Sequence, residues 1–302
     1  MSHHHEHHHH HQHAGQGSLN GIFILSITLN ILFVIIEAGV GFWKGSLSLL
    51  SDAGHNLSDV FSLLLVLIGF GLAKMHSTKN YTYGLKKSTI LISLLNALIL
   101  LVAVGAIVVE SVHKLREPSQ IDGVAISWTA GVGIVINGAT ALLLMRGQKH
   151  DLNVRGAFLH MAADTLVSVG VVVSGIIIRY TDWYMVDPIV SLIIAVVILI
   201  TTWDLLTDSL RLVVDGMPEG IVLEDIEHLI TAEEGVKNIH HIHIWAISTT
   251  ENALTAHVVI EDIKQMDELK SAIKDKLHKQ GIQHCTLEFE ETGSVCPDEH
   301  CC

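Results

Sequence analysis

Two pairs of residues with metal-binding side chains occur inside apolar stretches of this chain. Each pair has the spacing His-x-x-x-Asp, formed by His55 with Asp59 and by His160 with Asp164. Residues at positions i and i+4 lie on one face of an α-helix, about 6 Å apart along its axis. Together the pairs offer two imidazole nitrogens and two carboxylate oxygens, a set that suits Zn²⁺ better than Mg²⁺ or Ca²⁺. The sequence therefore predicts a metal site shared by two helices.

The helices that carry these pairs have the composition of membrane spans. The chain has 302 residues, of which 49% are hydrophobic and only 16% charged, which is too apolar for an ordinary soluble domain. A membrane-spanning helix needs about 20 apolar residues. The His-x-x-x-Asp pairs fall in the second and fifth of six stretches that meet this length, which are 21–42, 47–73, 89–112, 124–145, 154–178 and 188–206.

The distribution of basic residues predicts the orientation of the spans. Seven lysines and arginines lie in the loops after the second and fourth spans, against four on the opposite side. Because cytoplasmic loops carry an excess of these residues, both termini are predicted to lie in the cytoplasm. The cytoplasmic set is Lys74, Lys79, Lys86, Lys87, Arg146, Lys149 and Arg155, and the opposite set is Lys44, Lys114, Arg116 and Arg179.

Both pairs should lie near the middle of the bilayer. His55 is about 16 Å along its helix from the outer end, and Asp164 is about 13 Å from the inner end, in a hydrocarbon core about 30 Å thick. An ionisable group at that depth costs on the order of several kcal/mol unless it is paired or functional. A buried His–Asp hydrogen bond between helices would not explain a second identical pair at the same depth. Asp52 lies on the same helical face as His55, so we expect it to line the pathway to the site.

The C-terminal part of the chain has a different character. From residue 213 onward it holds 18 acidic against 6 basic residues, a net charge of −12, whereas residues 1–212 have a net charge of −1. This charge argues against nucleic acid as a partner and for a soluble domain that attracts cations. Hydrophobic periodicity predicts a helix over 222–232, strands over 236–248 and 253–261, a helix over 266–280 and a strand over 283–290. The order α-β-β-α-β is typical of a small two-layer α+β domain.

Both ends of the chain are rich in metal-binding side chains. Nine of the 22 histidines lie in the first thirteen residues, as an expression tag or as a native metal-binding tail. The interruptions by Glu6 and Gln12 favour the native tail. The other end could bind Zn²⁺ or Cu⁺ as a flexible clamp, or be a disordered segment without function. Its candidate ligands are Cys296, His300, Cys301 and Cys302.

Several motifs in combination resemble the cation diffusion facilitator family. They are Ser51-Asp52-Ala53-x-His55-x-x-x-Asp59, Tyr83-Gly84-x-Lys86-Lys87 and His160-x-x-x-Asp164, with six spans and an α-β-β-α-β tail. The resemblance covers about 19–291. It implies an all-α bundle of six transmembrane helices with a cytoplasmic, metallochaperone-like α+β domain. It also implies a homodimer in the lipid bilayer that exports Zn²⁺ from the cytoplasm in exchange for H⁺ by alternating access.

The same resemblance assigns roles to individual residues. The transport site would be formed by His55, Asp59, His160 and Asp164, and a histidine at the first position is similar to the zinc-selective subgroup, which disfavours Cd²⁺. Lys87 and Asp215 match positions that tie the membrane and cytoplasmic parts together. Zn²⁺ is thus expected as substrate and as regulatory ligand. Ligands of a cytoplasmic site would be His243, His257 and Glu288, with His240, His241 and His284 as substitutes, unless these are solvated surface side chains.

The sequence predicts four segments and leaves several alternative functions open. The segments are a histidine-rich flexible cytoplasmic tail (1–18), the six-span domain (19–210), the cytoplasmic α+β domain (211–291) and a cysteine-rich tail (292–302). A broader exporter of Cd²⁺, Co²⁺, Mn²⁺ or Fe²⁺, a proton-independent zinc facilitator and a membrane metal sensor remain open. We expect no enzyme, because none of the six apolar stretches contains His-Glu-x-x-His and four protein ligands leave no metal position for water. In a bacterium the chain would be a multi-pass protein of the plasma (inner) membrane.

Overall fold

A computed structural model describes residues 14–44, 47–116, 123–181 and 183–293. The first thirteen residues and the cysteine cluster at 296–302 lie outside these ranges, so the metal-binding roles predicted for both ends stay predictions. The side chains of Asp52 and His55 also lie outside the described part, although the backbone of both residues belongs to a helix.

Six long helices form the membrane part. Proline, which breaks helices when it is internal, occurs in them once, as Pro188 in the first turn of the last helix, where it is tolerated. Over the described residues four helical segments are long and apolar enough to cross a membrane, while the described apolar parts of the second and fourth helices are shorter. The six helices are α1 Ala14–Lys44, α2 Leu47–Ala73, α3 Ser88–Arg116, α4 Gly123–Leu144, α5 Leu152–Thr181 and α6 Val186–Val213.

The helices pack as two groups. Helices α1, α2, α4 and α5 share an apolar core that includes Phe23, Leu63, Leu144 and Met161. Helix α3 packs along α6, where the hydroxyl groups of Ser93 and Ser209 lie 2.9 Å apart and form a hydrogen bond within the bundle. The predicted transport-site residues therefore belong to helices of the first group, and α3 and α6 form a pair that packs against α5 of that group.

The cytoplasmic domain has the predicted α-β-β-α-β order, and its elements end within two residues of the predicted positions. Strand β1 is antiparallel to β2, and β3 is parallel to β2, with α8 as the crossover between them. Helices α7 and α8 bury their apolar faces against the sheet around Ile230, Leu254 and Ile273. The elements are α7 Leu223–Thr231, β1 Val236–Ala246, β2 Asn252–Ile260, α8 Met266–Lys279 and β3 Ile282–Glu291.

An irregularity interrupts β1. The pairing of β1 with β2 shifts register between His240 and His243, and His241 has a φ of 51°. Positive φ is uncommon outside glycine, and a bulge of this kind re-aims the side chains around it. After the bulge the side chains alternate as in a regular strand, since Ile244 and Ala246 are buried on the same face.

Polar and apolar contacts join the cytoplasmic domain to the helices. Lys87 Nζ, just before α3, lies 2.5 Å from Asp215 Oδ1, just after α6. Lys86 Nζ lies 2.6 Å from Glu251 Oε2 in the turn between β1 and β2. The backbone N–H of Thr249 in the same turn donates a hydrogen bond to Thr89 Oγ1 at 3.1 Å. The start of α3 is therefore in contact with the hinge, which is the segment 214–222 between α6 and α7, and with the turn between β1 and β2.

Asp151 caps the N-terminus of α5. Its Oδ1 accepts a hydrogen bond from the backbone N–H of Asn153 at 2.7 Å, and burial raises the pKa of its carboxyl above the ordinary value of 3.8. We expect Asp151→Ala to lower the free energy of unfolding by about 1 kcal/mol, since the cap is lost. Asp151→Asn keeps a capping oxygen and avoids the buried charge, so thermal unfolding in detergent should place it at or above wild type.

The pH dependence separates the two effects. A carboxyl whose pKa is raised by folding contributes stability below its unfolded pKa, and that contribution is lost as the pH rises through the folded pKa. The advantage of Asp151→Asn over wild type should therefore grow from pH 4 toward neutral pH. A constant difference between the two proteins would contradict the buried-charge explanation, and equal melting of Asp151→Ala and Asp151→Asn would contradict the cap.

Candidate metal centre

Three of the four predicted transport-site residues meet between α2 and α5. Asp59 of α2 is fully buried and His160 of α5 is 5% exposed. Asp59 Oδ1 lies 2.7 Å from His160 Nε2, and Asp164 Oδ2 lies 3.8 Å from the same nitrogen. Each residue offers a ligand atom, and these atoms lie within 4.8 Å of one another.

These distances are compatible with a tetrahedral ion. Ligand atoms about 2.0 Å from a tetrahedral Zn²⁺ are about 3.3 Å apart from one another, so small side-chain adjustments bring the three atoms to that spacing. Asp164 and His160 are held on one face by the i, i+4 relation, and the antiparallel packing of α2 brings Asp59 opposite them. The arrangement can exchange the Asp59–His160 contact for coordination of a cation.

The fourth predicted residue, His55, precedes Asp59 by one helical turn on α2. Its side chain lies outside the described part of the structure, as does that of Asp52, so their roles as ligand and lining residue stay predictions. The neighbouring Asn56 side chain donates a hydrogen bond from Nδ2 to Glu37 Oε2 of α1 at 2.8 Å. This buried contact fixes α2 against α1 close to the site.

A second group of metal-binding side chains lies on the cytoplasmic sheet. The rings of His240, His241 and His257 have centroids 4.9 to 5.2 Å apart. Glu290 Oε1 lies 2.6 Å from His257 Nδ1, and Glu288 Oε2 lies 3.6 Å from His257 Nε2. His257 is thus the centre of a group with three imidazoles and two carboxylates, which we call the sheet histidine cluster.

The register of the strands explains this cluster. His240 of β1 lies opposite His257 of β2, which in turn lies opposite Glu288 of β3. Regular alternation would send the side chains of His240 and His241 to opposite faces. The bulge at His241 removes that alternation, and His241 joins the cluster.

The cluster differs in membership from the predicted cytoplasmic site. It contains His257 and Glu288, together with the substitutes His240 and His241, but His243 is exposed beside Thr255 in the strand register and is not part of it. The ring of His284 lies 5.4 Å from that of Tyr83, also away from the cluster.

Glu290 is a member of the cluster that was not among the ligands predicted from the sequence. It follows Glu288 by two residues on the same strand, so the two side chains share a face. The alternation of side chains along the strand could therefore have identified Glu290. Among the described residues the one cysteine is Cys285, which is half-buried. Burial raises the pKa of its thiol, so the thiol stays protonated and is a poor metal ligand.

The helical bundle and the buried metal-ligand side chains of Asp59, His160 and Asp164 are typical of a membrane protein that binds metal cations. Residues 23–214 match the family described as the cation efflux transmembrane domain, and residues 218–292 match the cation efflux protein cytoplasmic domain. This chain belongs to the cation efflux family, and the resemblance to cation diffusion facilitators is confirmed.

Several bacterial proteins are similar over most of their length. The "Cadmium, cobalt and zinc/H(+)-K(+) antiporter" of Bacillus subtilis strain 168 is 35% identical over 280 residues, which cover 91% of this chain and 90% of the relative. The "Metal cation efflux system protein CzcD" of Cupriavidus metallidurans is 36% identical, with 88% and 85% covered. The "Zinc transporter ZitB" of Escherichia coli K12 is 32% identical, with 99% and 96% covered.

Proposed function

We propose that this chain exports Zn²⁺ from the cytoplasm in exchange for H⁺ by alternating access. The observation that carries the proposal is the buried group of Asp59, His160 and Asp164 between α2 and α5. The names of the E. coli zinc transporter and the B. subtilis antiporter support both the metal and the proton. The protein acts as a homodimer in a bacterial inner membrane, with both termini in the cytoplasm.

Exchange of metal for protons follows from the ligands. Zn²⁺ binds to neutral imidazole and ionised carboxylate, so protons leave the site as the ion arrives. His160 Nε2 and Asp59 Oδ1 lie 2.7 Å apart, at hydrogen-bond distance, and can hold a proton between them. Histidine titrates between pH 5 and 8, so protons from the more acidic side displace the ion once the site opens outward.

The two helix groups provide a path for this opening. The ligands belong to α2 and α5, whereas α3 and α6 pack on each other and contact the cytoplasmic domain through Lys87 and Asp215. Rocking of α1, α2, α4 and α5 against the α3 and α6 pair exposes the site to one side at a time, as in other transporters with binding sites near the midplane.

Zinc flux into sealed vesicles tests the function. Purified protein in proteoliposomes should move Zn²⁺ along an opposing pH gradient, and collapse of that gradient with a protonophore should slow transport. Zinc flux that ignores the pH gradient would indicate a proton-independent facilitator. Zinc binding without any flux would indicate a sensor and would contradict the proposed transport function.

The sheet histidine cluster is proposed to bind Zn²⁺ as a regulatory ligand. His257 belongs to two groups of three ligands, one with His240 and His241 and one with Glu288 and Glu290, and imidazole and carboxylate ligands of this kind suit zinc. Each cytoplasmic domain carries most of the net negative charge of the chain, so two domains in a dimer repel each other, and bound cations reduce that repulsion.

Selectivity offers a second candidate function. The B. subtilis relative is named for cadmium and cobalt as well as zinc, which favours a broader exporter. We expect His55→Asp to admit Cd²⁺ more readily than wild type, because the resemblance associates a histidine at this position with the zinc-selective subgroup, whereas some members have aspartate there. Competition of Cd²⁺ against Zn²⁺ uptake in vesicles measures this. Equal competition in both proteins would contradict the role of His55, and strong competition in wild type would favour the broader exporter.

A further inference from the structure

A cavity of about 820 Å³ lies where the cytoplasmic ends of the helices meet the turn between β1 and β2. Helices α1, α2 and α4 line one side of it, and residues 248–251 of the turn line the other. Neither the transport site nor the sheet histidine cluster contributes to this space. The apolar wall consists of Ile22, Phe70, Ala73, Leu142, Leu143 and Met145.

The rim of the cavity is basic. Lys74 follows the end of α2, Arg146 follows the end of α4, and His150 lies close behind in the chain. Over the residues that the structure describes, Lys74 and Arg146 form no ion pair with a carboxylate. Both side chains are exposed and can reach an anionic group at the rim.

The two carboxylates of the lining do not cancel this positive charge. Glu251 is paired with Lys86, whose Nζ lies 2.6 Å from Oε2. Asp151 is buried, and its Oδ1 accepts a hydrogen bond from the backbone N–H of Asn153 at the N-terminus of α5. The lining therefore holds three basic side chains, Lys74, Lys86 and Arg146, against the two carboxylates.

We propose that this cavity binds an anionic phospholipid of the cytoplasmic leaflet, with its phosphate at Lys74 and Arg146 and an acyl chain along the apolar wall. The proposal rests on the membrane orientation proposed above and is independent of zinc transport. Basic pockets at the cytoplasmic ends of membrane helices attract anionic headgroups. The apolar wall favours a lipid over a free phosphate or a nucleotide as the ligand. Leu142 is 67% and Met145 46% exposed, and neither side chain would contact a small polar anion favourably.

A lipid bound here contacts both parts of the protein. Residues 248–251 form part of the lining, and Thr249 of that turn already donates a hydrogen bond to Thr89 of α3. The headgroup would therefore lie between the helix ends and the sheet and stabilise their contact.

Native mass spectrometry of the full chain in detergent tests the proposal with phosphatidylglycerol and phosphatidylcholine of identical acyl chains. We expect wild type to bind phosphatidylglycerol and to discriminate against phosphatidylcholine. Lys74→Gln/Arg146→Gln should bind phosphatidylglycerol about 30-fold more weakly, since each basic residue near the headgroup contributes about fivefold. A matched control, Lys79→Gln/Lys149→Gln, removes the same charge from the same two loops outside the cavity and should bind like wild type.

Two further arms identify the source of the anion. Leu142→Asn should weaken phosphatidylglycerol binding, and water-soluble glycerol 3-phosphate should fail to displace the lipid at equal concentration. Equal binding by the Lys74/Arg146 double variant and the control, equal binding of both lipids, or displacement by glycerol 3-phosphate would each overturn the proposal. Zinc binding in detergent, measured on the same samples, reports separately on the proposed transport function and on folding.

Discussion

Zinc flux in proteoliposomes is expected to fall at least about 100-fold when Asp59 is replaced by alanine. Asp59 is fully buried and supplies the only carboxylate that the described part of α2 contributes to the group with His160 and Asp164. Its loss removes one negative charge and one ligand, while changes to groups that merely orient metal ligands already cost 10- to 100-fold, roughly. Asp164→Ala should have the same effect for the same reason. Initial rates of zinc uptake at two pH values measure both variants.

A surface carboxylate provides the matched control for these variants. Glu110 of α3 is exposed and paired with Lys114 one turn away, at 3.1 Å, and such pairs contribute about 0 to 1 kcal/mol. Glu110→Gln should therefore transport like wild type. Zinc binding by the sheet histidine cluster verifies that Asp59→Ala is folded. Normal pH-dependent flux in both Asp59→Ala and Asp164→Ala would refute the site between α2 and α5.

Removal of the sheet histidine cluster is expected to change regulation and not transport itself. His240→Ala/His257→Ala should shift the zinc concentration for half-maximal transport by about tenfold and lower the number of zinc ions bound per chain. The reason is that His257 touches every part of the cluster, including Glu290 at 2.6 Å, and metal sites lose on the order of 10- to 100-fold in affinity when a supporting contact is removed. Transport rates across a zinc titration, together with calorimetry, measure both effects.

The position of His243 makes the control specific. It lies on β1, as His240 does, but is exposed and outside the cluster. His243→Ala should therefore leave the titration unchanged. If His243→Ala shifts the midpoint and the cluster variant does not, the metal binds at the site first predicted from the sequence and not at the cluster.

The features that the sequence predicts correctly are those that depend on regular helices and strands. The α-β-β-α-β order could be predicted because alternating strands and amphipathic helices leave strong local patterns, and the meeting of Asp59 with His160 and Asp164 follows from helical spacing and antiparallel packing. These are properties of regular elements. Where the chain is regular, residue spacing determines which side chains share a face.

The geometry of the cytoplasmic cluster could not be predicted in the same way, although the sequence named four of its five members as candidate ligands. Regular alternation separates His240 from His241, and the residues of β1 give no local signal for a positive φ at His241. The parallel pairing of β2 with β3, which sets Glu288 and Glu290 beside His257, depends on a contact between residues distant in the sequence. Both features are set by tertiary packing, which residue spacing does not encode.

The two lysines ahead of α3 have a consequence for the salt dependence of regulation. Lys86 and Lys87 reach the sheet turn and the hinge through ion pairs whose side chains are one-third to more than one-half exposed. Exposed pairs contribute about 0 to 1 kcal/mol each and weaken as ionic strength rises. In concentrated salt the bundle would continue to exchange zinc for protons, but zinc bound to the cytoplasmic domain would have less influence on the helices. The ionic strength inside the cell would then set how strongly cytoplasmic zinc controls its own export under the proposed regulation.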